Sequence, residues 1–130
     1  MLTLTIRTDN PQAELGLYQD GKRLAFTTWE AHRQLAETIH FKIKQLLETE
    51  QLSLKDLKGI MIYEGPGSFT GLRIGASVAN ALAYALNIDV VGATGKDWTA
   101  SGVKVLASGK AGQYAVPNYG APARTTTQKK

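Results

Sequence analysis

Cysteine is absent from this chain of 130 residues, and with it go disulfide staples, thiolate zinc sites and thiol nucleophiles. No uninterrupted apolar run approaches the roughly 18 residues of a membrane span. The N-terminal MLTLTIRTDN also lacks a basic region followed by an apolar signal core. These absences lead to the expectation of a cytoplasmic protein without membrane contact. Histidines number only two, His32 and His40, too few for a metal centre unless carboxylates help. Hydrophobic content of 43% with 20% charged residues is ordinary for a globular chain with one core.

Net charge is lacking over most of the length. Residues 1–109 carry eleven Lys plus Arg against all eleven acidic residues, so the formal +4 comes wholly from Lys110, Arg124, Lys129 and Lys130. The segment 117–130 is rich in Gly, Ala, Pro and Thr and reads as a basic flexible tail. A solvated terminus is its plain interpretation, and a weak contact with a phosphate backbone is the functional one.

What is present is a clear alternation of patterns. Leu2, Leu4 and Ile6 alternate with Thr3, Thr5 and Arg7, the period of a strand. A second strand is expected over 13–19, and Gln19-Asp20-Gly21-Lys22 is a hairpin turn leading into a third over 23–29. Leu35, Ala36, Ile39, Ile43, Leu46 and Leu47 then recur at helical spacing, with Arg33, Glu37, Lys44 and Glu48 opposite, giving an amphipathic helix of about five turns. Ser53-Leu54-Lys55-Asp56-Leu57 reads as a short capped turn. Gly59-Ile60-Met61-Ile62-Tyr63 is apolar throughout and fits a strand buried on both faces.

Next comes EGPGSFTGLRIG, residues 64–75, which joins that strand to a proline-free, alanine-rich helix over 72–86. Gly65-Pro66-Gly67 forces a turn, and Ser68 or Thr70 caps the helix. A further strand is expected near Val90 and Val91. Three antiparallel strands, a helix, a strand, a helix and a strand make an α/β chain with the order of a single ribonuclease H-like lobe, its helices packed on a mixed sheet. More strands are expected at 103–107 and 113–116, which puts one domain at 1–116 and the tail at 117–130.

The glycines at 65, 67 and 71 suggest a phosphate loop, but the spacing fits neither common form. Thr70 stands where the dinucleotide fingerprint needs its third glycine, and Gly71-Leu72-Arg73 stands where a Walker loop needs Gly-Lys-Ser/Thr. A different anion site built from Ser68, Thr70 and Arg73 stays open as the smaller alternative. The helix also carries Gly71, Gly75, Ala79 and Ala83 at every fourth position, a ridge of small residues along one face. Such a ridge suits close packing, either inside the chain or against another protein.

The run GPGSFTGLRIG resembles the signature of the TsaB (YeaZ) family, a bacterial partner protein in the synthesis of threonylcarbamoyladenosine in tRNA. Arg7-Thr8 ending the first strand, the Asp20-Gly21 turn, Glu30-Ala31-His32 opening helix one, and Ser53-Leu54 before the loop strand all fall in the same order. The likeness spans residues 1–92 well and 103–116 loosely. It implies one lobe of the actin, chaperone and sugar-kinase type of ATPase, non-catalytic and without a cofactor, that pairs with a TsaD-type carbamoyltransferase as a heterodimer. A TsaE-type ATPase joins the assembly, tRNA is met only through the complex, and the same helices can form a homodimer when the chain is alone.

The departures from the family pattern are informative. The related ATPases hold metal-phosphate with an aspartate ending the first strand, where this chain has Arg7-Thr8-Asp9. TsaD relatives carry His-x-x-x-His on the first helix, where this chain has His32 and Ala36. The second lobe of family members has no counterpart in the sequence. The expectation is therefore a scaffold whose partner surface uses Leu72, Gly75, Ala79 and Ala83 from helix two with Ile39, Ile43 and Leu46 from helix one. Two alternatives stand beside it: a small anion- or nucleotide-binding phosphoryl-transfer or hydrolase domain, and a tRNA-binding module using the tail.

Overall fold

The computed structural model describes residues 1–31, 34–95 and 98–99. Within them a five-stranded mixed sheet in the order β3-β2-β1-β4-β5 carries two helices. The segments 103–107 and 113–116 and the tail lie outside the described residues.

Strands β1 (Leu2–Arg7), β2 (Gln12–Gln19) and β3 (Lys22–Glu30) form the antiparallel meander. Its β2–β3 turn works because Asp20 and Gly21 both adopt positive φ, 52° and 84°, the requirement of the tight hairpin turn whose twist matches the flanking strands. The N-terminal ammonium closes onto the Asp20 carboxylate and holds its pKa below the ordinary carboxylate value. Strand β4 (Gly59–Tyr63) lies parallel to β1 and is buried at all five positions, as its continuous apolar run requires. Strand β5 (Asp89–Ala93) extends the parallel half.

Helix α1 (Leu35–Thr49) covers β2 and β3, and helix α2 (Phe69–Leu86) covers β1, β4 and β5. Before β4 the Asp56 carboxylate accepts hydrogen bonds from the Ser53 N–H at 2.9 Å and the Ser53 hydroxyl at 3.3 Å, the expected capped turn. Helix α2 stops at Asn87 in the left-handed conformation, with the Ile88 N–H donating to the Ala83 carbonyl. The main core lies between sheet and helices and joins Leu4, Ile6, Leu15, Leu17, Ile60 and Ile62 to Ile39, Ile43, Leu47 and Ala79. A second cluster unites Met61, Tyr63, Leu72, Val91 and Trp98.

The largest boundary differences from the sequence expectation are at the starts of the two helices; α2 begins at Phe69 rather than 72, because Ser68 is its cap. Glu30 ends β3 rather than opening a helix, and α1 begins at Leu35 with 15 residues, so it has about four turns and not five. The cause is pairing: Glu30 stands opposite Gln12 in the β2–β3 ladder, which extends the strand one residue past Trp29. Trp98 is buried and makes an edge-on contact with Tyr63, ring centres 5.7 Å apart. Among the described residues no helix is long and apolar enough to cross a membrane.

Candidate functional site

The C-terminal ends of the parallel strands β1 and β4 meet at the glycine loop, a position where open α/β sheets commonly place ligands. Arg7 at the end of β1 and the two residues that follow it, Thr8 and Asp9, clamp this loop. Arg7 Nε donates to Asp9 Oδ1 at 2.7 Å and Arg7 Nη2 to Asp9 Oδ2 at 3.2 Å, while the guanidinium lies 4.1 Å from the centre of the Tyr63 ring. The hydrogen bond from Arg7 to Asp9 is the main reason the guanidinium pKa rises above its ordinary value, with burial opposing it. Thr8, itself buried, donates its hydroxyl to the Gly71 carbonyl at 2.7 Å. Asp9 accepts the Ser68 N–H at its backbone carbonyl at 2.9 Å, and its side chain fills the space beside Gly67.

The loop is tied from its own side as well. Gly65 has φ of 107°, the Gly65–Pro66 peptide is cis, and the Tyr63 hydroxyl donates to the Pro66 carbonyl at 3.2 Å. Ser68 is the helix cap, accepting from the Gly71 N–H at 3.5 Å. Thus, of the three residues of the smaller anion alternative, Ser68 is engaged in capping. Thr70 and Arg73 lie instead on the exposed side of α2. The Glu64 carboxylate is turned toward β5, against Gly92. No group of three or more potential metal ligands exists among the described residues.

The small-residue ridge of α2 faces the sheet, which corrects the expected partner surface. A Cβ at Gly71 would lie 1.9 Å from the Thr8 carbonyl oxygen, and one at Gly75 would lie 2.2 Å from Thr8 Oγ1. The ridge therefore lets α2 sit directly on the end of β1. Leu72, Gly75, Ala79 and Ala83 are all buried within this chain, as are Ile39, Ile43 and Leu46 of α1. Small residues at four-residue spacing serve a sheet as well as they serve another helix, so the pattern alone did not tell the two apart.

The outward face of the helix layer is made of other residues. Phe41 on α1 is 63% exposed and Tyr84 on α2 is 83% exposed. Between the helices runs an open groove of about 310 Å³ lined by Ala36, His40, Thr70, Arg73, Ile74, Ser77 and Val78. Sequence reasoning passed over Phe41 and Tyr84, although both are large apolar residues standing off the core-facing stripe of their helices. Glycine clamping by Asp9 was also missed, its partner being 58 to 59 positions away in the chain by the difference of residue numbers with Gly67 and Ser68.

Comparison with known proteins places this geometry. Residues 29–113, more than half of the chain, match the family model described as TsaD: tRNA N6-adenosine threonylcarbamoyltransferase. The chain is 32% identical over 97 residues to the tRNA threonylcarbamoyladenosine biosynthesis protein TsaB of Escherichia coli, covering 71% of this chain and 39% of that protein. It is 44% identical over 62 residues to the tRNA N6-adenosine threonylcarbamoyltransferase of Geotalea daltonii, covering 48% of this chain and 18% of that one. The solved structure of YeaZ from Pseudomonas aeruginosa superposes with a TM-score of 0.66 at 27% identity, covering 72% of this chain and 43% of that structure. This chain thus spans less than half the length of each of these relatives. It belongs to the TsaB (YeaZ) and TsaD family of tRNA threonylcarbamoyladenosine biosynthesis and has that family's ribonuclease H-like α/β fold.

Proposed function

We propose that this chain acts in the synthesis of threonylcarbamoyladenosine in tRNA as a non-catalytic subunit that binds and activates a TsaD-type carbamoyltransferase. The observation that carries the non-catalytic part is the clamp at the end of β1. There, where the related ATPases hold metal-phosphate with an aspartate, Arg7 is a cation committed to Asp9 and stacked on Tyr63. A guanidinium repels a divalent metal, and the Asp9 carboxylate it engages serves the loop.

The binding surface in this proposal is the outer face of α1 and α2, with Phe41 and Tyr84 as anchors in place of the buried ridge. Exposed aromatics give interfaces large apolar area at small cost in side-chain entropy, which supports this assignment. Activation follows from differential binding: a subunit that binds the active conformer of the transferase more tightly raises its population. The wider assembly proposed includes a TsaE-type ATPase, with tRNA met through the complex and a cytoplasmic setting.

The test is capture of the full-length cognate transferase by the purified chain, followed by Phe41→Asp and Tyr84→Asp. Each substitution sits on an exposed helix position, so the fold is expected to survive, while affinity drops about 30-fold or more, the loss of a hot spot of roughly 2 kcal/mol. Failure of the wild-type chain to bind, or unchanged binding by both variants, removes the proposal.

A further inference from the structure

The groove between α1 and α2 has a chemistry that the aromatic anchors do not use. Its apolar lining is Ala36, Ile74 and Val78, and its polar lining is Arg73 and His40 with the hydroxyls of Thr70 and Ser77. Among the described residues no acidic side chain lines it. Arg73 stands near the start of α2, where the positive end of the helix dipole adds to its charge and strengthens the field offered to an anion. A guanidinium has five N–H donors, so it can engage an incoming carboxylate while keeping an acceptor within its own chain.

We propose that this groove receives a carboxylate side chain from an apposed helix of the protein partner, held by Arg73 from α2 and His40 from α1. The proposal rests on the scaffold reading above and adds the chemistry that the partner must present. Size supports a side chain: about 310 Å³ is at the low end for small-ligand cavities. Length supports a helix. The α2 lining runs from Thr70 to Val78, about 12 Å along the axis, which leaves room for two side chains four residues, or about 6 Å, apart on a facing helix. One of these, small and apolar, covers Ile74 and Val78, and the other is the acid. A free phosphate would meet Arg73 and leave the apolar lining in water.

Affinity for the full-length transferase, measured by calorimetry with the whole chain, tests this. Arg73→Gln is expected to weaken binding about 30-fold and Arg73→Glu more than 100-fold, both with unchanged circular dichroism. Replacing one Asp or Glu on the partner's docking helix by Lys is expected to restore at least tenfold of what Arg73→Glu loses. Binding of both Arg73 variants within twofold of wild type, while Tyr84→Asp weakens it about 30-fold or more, overturns the carboxylate pocket and leaves the scaffold reading in place. Binding of inorganic phosphate to the isolated chain, lost in Arg73→Gln, would make the groove a small-anion site and also overturn the inference. A wild-type chain that fails to bind the transferase overturns both.

Discussion

Gly71→Ala is the perturbation that most sharply separates a helix resting on the sheet from a helix offering its small residues to solvent or a partner. Alanine in a helix normally gains about 1 kcal/mol over glycine. Here the new methyl would lie 1.9 Å from the Thr8 carbonyl oxygen, a backbone atom that cannot rotate away. Relief requires α2 to lift from β1, which stretches the 2.7 Å hydrogen bond from the Thr8 hydroxyl to the Gly71 carbonyl. Overpacking costs about 1–3 kcal/mol, and leaving the buried Thr8 hydroxyl unpaired costs about 1–3 kcal/mol more. Set against the helix gain, the net loss centres near 3 kcal/mol. At roughly 3–6 °C per kcal/mol for a chain of this length, the melting temperature should fall by about 9–18 °C. Thermal and urea unfolding followed by far-ultraviolet circular dichroism measure this directly. A variant as stable as the wild type, or more stable, refutes the packing argument.

Other expectations follow from the same geometry. Arg7→Asp brings a second carboxylate to Asp9 and removes the cover of Tyr63, so urea unfolding should show a loss of about 2 kcal/mol or more, while Arg7→Lys, which keeps the charge but not the forked donors, should lose less. The Asp56 pKa is held below its ordinary value, chiefly by the Ser53 backbone N–H. A depressed carboxylate contributes stability that is fully present above its unfolded value near 4 and fades as pH falls through the lower folded value. Asp56→Asn should therefore flatten the acid side of the stability profile below about pH 4 and leave its slope between pH 6 and 8 unchanged, as read from melting temperatures across that range.

Much of the fold was legible because local rules agreed with tertiary demands. Asp20-Gly21 announces its hairpin since few other pairs accept positive φ twice, and the apolar run 59–63 announces a strand with no solvent face. The start of α1 was misplaced because strand pairing with Gln12, a partner 18 positions earlier by residue number, holds Glu30 in β3. Trp98 was hidden by the glycine and threonine that precede it, while its burial depends on Tyr63 and Val91 across the sheet.

The candidate site was legible in position but not in orientation. The glycine loop stands where EGPGSFTGLRIG placed it, between β4 and α2. Which way the ridge of Gly71, Gly75, Ala79 and Ala83 points depends on Thr8, 63 positions from Gly71, and a contact of that separation leaves no trace in helical periodicity. Phe41 and Tyr84 carried a usable signal, because a large apolar residue outside the buried stripe of an amphipathic helix must be covered by something else or stay wet.

The central claim, that the outer face of α1 and α2 is where the chain meets its transferase, is tested most directly by amide hydrogen exchange of the chain with and without the full-length TsaD-type enzyme. The account predicts slower exchange in the segments 35–49 and 69–86, with the β1–β2–β3 meander unchanged. Protection confined to the glycine loop at 65–68, with both helices exchanging as in the free chain, would contradict it.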